Sequence, residues 1–144
     1  MNSNRLFFIR EELDLTQDQL GEIVNTTRVS VSRWEHSQEI IPIRKANIIS
    51  NKFNYSLDYM FYLSNVKHYN NSRSELNLKL IGERIAKIRK DNNLTLRDLA
   101  NKLGTSSSTI SAYETGKTLM LTAFAYQMCK EYNLSMDWLY GKID

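Results

Sequence analysis

The stretch TQDQLGEIVNTTRVSVSRWE, residues 16–35, returns 79 positions later as TLRDLANKLGTSSSTISAYE, residues 95–114. In the first copy Leu20, Ile23 and Val24 fall on one helical face before a short break, and Val31 follows it. In the second copy Leu99, Leu103 and Ile110 take those roles. Thr16 with Gln19 forms a capping-box pattern that satisfies free amides at a helix start. Asn25 and Gly104 stand at the break, and both tolerate the left-handed backbone that ends a helix. Gly21 and Ala100 are small where two helices must cross closely. The stretch therefore reads as two helices joined by a tight turn, the second with one packed and one polar face.

The register extends outward without a gap. Arg5 falls on Arg84, Ile9 on Ile88, Arg10 on Arg89, Glu35 on Glu114 and Ala46 on Ala125. Asn54-x-Ser56-x-Asp58 falls on Asn133-x-Ser135-x-Asp137, and Trp34 pairs with Tyr113. Such a register means two homologous domains. Each is expected to hold five short helices. In the first copy these are Arg5–Leu13, a helix opened by Thr16, and one capped by Thr26 or Thr27 and running to about Glu35 or His36. A fourth follows with Pro42 in its first turn, where a missing amide costs little. Asn54 ends it, and Ser56 caps a fifth over Leu57–Leu63. No segment alternates with period two, so no sheet is expected. The expected fold class is all-α, in two domains over 1–64 and 74–144 joined by a flexible linker, 65–73, rich in Asn, Ser and Lys. Ser74 is a candidate cap for a longer first helix in the second copy, because Leu78, Ile81, Ile85 and Ile88 share one face.

Composition excludes several classes. Five Gly and one Pro supply too few turns for a β-sandwich or a nucleotide-binding α/β fold. No apolar run approaches the roughly 18–20 residues that cross a membrane, and Met1–Arg10 has no signal-peptide pattern. A lone Cys129 suits a reducing cytoplasm. Two His and one Cys make no zinc set, so neither metal nor cofactor is expected. Gly116-Lys117-Thr118 lacks the earlier glycine of a phosphate-binding loop. No enzyme, no further effector-binding domain and no small-molecule site is expected. Net charge is +3, with −1 on residues 1–66 and +4 on 67–144. The basic excess of the second half suits phosphate.

Both copies resemble the Cro- and lambda-repressor-like helix-turn-helix family, the Xre type. Ser32-Arg33-Trp34-Glu35-His36, residues 109–117 (TISAYETGK) and residues 133–139 (NLSMDWL) carry the likeness. The resemblance implies a cytoplasmic, bacterial or phage-encoded regulator that binds double-stranded DNA sequence-specifically and in most cases represses. It also implies that Gln17 binds a backbone phosphate and that the third helix reads bases. The implied DNA-binding set is Gln17, Thr27, Arg28, Val29, Ser32 and Arg33 in the first copy. In the second it is Thr95, Arg97, Ser106, Ser107, Ser108, Ser111 and Lys117. Arg can donate two bonds to guanine and Val can pack on a thymine methyl, whereas serine hydroxyls discriminate little. Leu96 departs from the pattern at the place of Gln17. Arg84, Arg89 and Lys102 could also grip phosphate, while Glu35 and Glu114 are expected to brace the fold. Two domains on one chain allow an intramolecular pseudo-dimer or a homodimer, with residues 40–43 and 59–63 as candidate apolar surfaces. The competing reading is a protein-interaction or antitoxin-like regulator with reduced DNA binding.

Overall fold

A computed structural model describes residues 4–144, and the chain divides into two units between Tyr69 and Asn70. The first unit holds α1 (Leu6–Glu12), α2 (Gln17–Ile23), α3 (Arg28–Glu35), α4 (Ile43–Phe53) and α5 (Leu57–Met60). The second holds α6 (Leu78–Asp91), α7 (Leu96–Leu103), α8 (Ser107–Glu114), α9 (Thr122–Tyr132) and α10 (Met136–Leu139). Among the described residues there is no strand. The all-α, two-domain expectation is borne out.

Local chemistry sets the boundaries. The Thr16 and Thr95 hydroxyls accept the amides of Gln19 and Asp98, whose side chains reach back to close both capping boxes. The hydroxyls of Thr27, Ser56, Ser106 and Ser135 each accept one amide as a cap, without a reciprocal box. Asn25, Asn54, Gly104 and Asn133 take positive φ where helices end, as their types allow. Pro42 occupies the N-cap of α4 rather than its first turn. The fifth helix stops at Met60, short of the expected Leu63. Tyr62 turns left-handed at φ 58°, and the amides of Leu63 and Ser64 fold back onto the Asp58 carbonyl. Gly141 and Lys142 repeat that turn in the second unit.

Each unit closes around its own core. Leu6, Leu20, Val31, Ile41, Ile49 and Met60 are buried in the first, and Ile85, Leu99, Ile110, Met120, Met128 and Leu139 in the second. Ile41, Ile43, Met60 and Phe61 go into the core, which leaves Ile40, Pro42 and Tyr62 exposed from the two stretches expected to offer surfaces.

Two expectations need correction. The cap of α6 is Asn77, not Ser74: its side chain accepts the Leu80 amide, and the helix starts seven residues ahead of the position equivalent to Leu6. Nor is the segment before it a free spacer. The Ser56 amide and hydroxyl donate to the carbonyls of Lys67 and Val66, and the Tyr69 hydroxyl donates to Asp58 at 2.7 Å. Arg73 belongs to the second unit, bonded to the carbonyls of Lys142 and Gly141.

Candidate nucleic-acid interface

The third helix of each unit is held by an ion pair at its C-terminal end. Arg10 donates to both carboxylate oxygens of Glu35, at 2.6 and 3.0 Å, and to the Leu15 carbonyl at 2.9 Å. Arg89 does the same to Glu114, at 2.7 and 3.0 Å, and to Leu94 at 2.9 Å. One guanidinium thus ties the first helix to the start of the second and the end of the third. Its forked donors suit a carboxylate taken bidentately. The hydrogen bond to the carboxylate lifts both guanidinium pKa values above the ordinary one. Glu35 and Glu114 are the braces the sequence suggested, and Trp34 and Tyr113 are buried behind them.

The turn before the reading helix is equally fixed. A Cβ on Gly21 would lie 2.9 Å from the Thr26 carbonyl oxygen, so only glycine lets α2 meet that turn so closely. Lys45, which the sequence reading missed, donates to the carbonyls of Val24 and Asn25 and caps the end of α2. A lysine near unsatisfied helix-end carbonyls is a known capping device, but its targets here are 21 and 20 residues away in sequence. Phe124 stands at the equivalent place in the second unit, beside Tyr113.

On this frame α3 turns Arg28, Val29 and Arg33 outward, Val29 at 53 % exposure. Arg28 has no partner among the described residues. Arg33 meets Glu39 at 3.1 Å, with both side chains about half exposed. A pair so exposed contributes at most about 1 kcal/mol and opens cheaply. Ser32 is half-buried beside His36, whose Nδ1 lies 2.7 Å from the Ser32 carbonyl oxygen. Thr27 is exposed, its hydroxyl holding the Ser30 amide. Gln17 donates its amide to Glu35 at 3.1 Å, so the residue implied for phosphate also completes the brace.

In the second unit α8 presents Ser107 and Ser111 half-buried and Ser108 exposed. Ser106 and Thr95 use their hydroxyls as caps, while Arg97 and Lys117 stand exposed. Arg84 and Arg89 face inward: Arg84 donates to the carbonyls of Trp138 and Ile143, and Arg89 is held by Glu114. Lys102 lies 3.9 Å from Glu131 on the surface. Among the described residues no group of His, Cys, Asp and Glu could hold a metal, and no helix is long and apolar enough to cross a membrane.

Comparison with protein families matches residues 8–60 to a helix-turn-helix model and residues 82–144 to a second model, a helix-turn-helix domain. The first is of the Xre, Cro and lambda type. Domains of this kind point to DNA binding and transcriptional regulation, and are typical of regulators that are not enzymes. The curated proteins searched gave no match.

Proposed function

We propose that this chain, a tandem of two helix-turn-helix domains, is a sequence-specific regulator that represses by placing its third helices, α3 and α8, in the DNA major groove. The observation that supports this most directly is the outward face of α3: an unpaired Arg28 beside an exposed Val29, on a helix fixed by the Arg10–Glu35 brace. Arg28, Val29, Ser32 and Arg33 are the base-reading set, with Gln17 and Thr27 at the adjoining helix starts. In the second unit Ser107, Ser108 and Ser111 face the groove, while Thr95, Arg97, Ser106 and Lys117 serve the backbone. A cytoplasmic setting and a double-stranded operator follow from the same reading.

Covalent linkage raises the effective concentration of the second domain to roughly the millimolar range, so one chain can occupy paired half-sites. Selection of bound genomic fragments, followed by titration of the best fragment against random duplex, tests the proposal. The selected site is expected to be favoured by about a thousandfold or more, with affinity falling steeply as salt rises. Equal affinity for both duplexes would refute it. The rival reading, a partner-binding or antitoxin-like regulator, is favoured by Phe7 and Phe8. They stand on α1 at 41 and 54 % exposure, edge to face at 5.6 Å. It requires a partner whose binding survives high salt.

A further inference from the structure

We infer that Lys79, on the two extra turns of α6, is a DNA-phosphate contact that works with Lys117; this rests on the DNA-binding reading above. The placement follows from two glycines. A Cβ on Gly82 would fall 2.4 and 2.6 Å from the carbonyl oxygens of Glu114 and Tyr113. That is closer than side-chain-bearing residues come, so α6 crosses backbone to backbone over the last turn of α8. One turn earlier on α6, Gly116 meets the backbone of Leu78 and Lys79, its Cβ position 3.3 Å from the Lys79 nitrogen. The first turn of α6 therefore lies against the turn that follows the reading helix, and Lys117 is the next residue along it.

Both lysines are exposed, and neither has an ion pair among the described residues. Glu83, four positions along α6, makes no ion pair with Lys79, and the Glu114 carboxylate is held by Arg89. Backbone packing thus places two exposed cationic residues on adjoining segments just past the reading helix. Like charges on adjoining segments favour an anion nearby, and a lysine ammonium serves a phosphate as a point charge. The anion that runs past the end of a major-groove helix is the phosphodiester backbone.

The equivalent turn of the first unit has the opposite character. Ser37, Gln38 and Glu39 occupy it, and Glu39 engages Arg33. The second unit also lacks the Gln17 amide, since Leu96 stands there. Lys79 and Lys117 supply, past the C-terminal end of the reading helix, the grip that Leu96 cannot give.

The test is equilibrium binding of the full chain to a duplex over a range of salt. Lys79→Ala is expected to lower the slope of log K against log salt by about 0.9, the value of one lost phosphate contact. Lys117→Ala should do the same, the double variant about twice as much, and Lys79→Arg should retain the slope. Preference for the selected site over random duplex should be unchanged, as should the unfolding temperature. A Lys79→Ala slope equal to that of the unaltered chain, with binding otherwise intact, would overturn this inference and leave DNA binding standing. Absence of salt-dependent binding by the unaltered chain would overturn both.

Discussion

The two units share a frame and differ at its outer surface. Arg10–Glu35 and Arg89–Glu114 use the same atoms and nearly the same distances. Arg5 and Arg84 likewise each reach two equivalent carbonyls of the fifth helix and the turn after it. Yet α3 carries two arginines, Arg28 and Arg33, outward where α8 carries Ser107 and Ala112. The brace and the reading face lie on the same helix and are chemically independent of each other. A repeat can therefore keep its architecture while its binding surface diverges.

The brace should show the largest effect, and a graded one. Glu35 is 3 % exposed and is also bonded by Gln17, while Glu114 is 11 % exposed and has Leu96 at the place of that glutamine. Removing one member of a buried pair costs about 3–5 kcal/mol. Glu35→Ala should reach that range and Glu114→Ala fall below it, as read by urea unfolding. Equal losses would mean that Gln17 adds nothing to the brace.

The reading faces should separate next. Arg28→Ala with Arg33→Ala should reduce preference for the selected site by about 1–3 kcal/mol for each base-reading pair lost. Ser107→Ala with Ser111→Ala should cost less than tenfold in the same competition assay. Equal losses of discrimination would abolish the contrast between the units.

The smallest effect is expected at alkaline pH. Tyr55 donates to Glu12, and burial, followed by that hydrogen bond, pushes its pKa up to about 12. A folded-state pKa above the unfolded one gives stability that is full below the unfolded value of about 10 and is lost as pH rises through about 12. Leu134 at the equivalent position has no such group. Tyr55→Phe should flatten the alkaline arm of the stability curve; an unchanged arm would remove Tyr55 from this difference between the units.

Much of the frame was legible in the sequence because its signals are local. A threonine three residues ahead of Gln19 or Asp98, or an asparagine where a helix must end, declares its role within one turn. What escaped depends on distant partners. Ser74 and Asn77 are equally good caps by type, and only the packing of Leu78 and Lys79 against Gly116 selects the later start. Gly82 gives no local signal, since the carbonyls it admits come from Tyr113 and Glu114. The basic residues were legible as charges but not by direction. Arg84 and Arg89 turn inward to carbonyls and a carboxylate, Arg97 and Lys117 outward.

The docking of Val66–Tyr69 bears on how the protein can be dissected. Composition suggests cutting the first half free at residue 64, where the polar run begins. A fragment ending there would expose the Ser56 amide and strip the Asp58 carboxylate, 2 % accessible, of its tyrosine donor. The first compact unit ends at Tyr69, five residues beyond that cut, and a fragment meant to keep these bonds has to run that far.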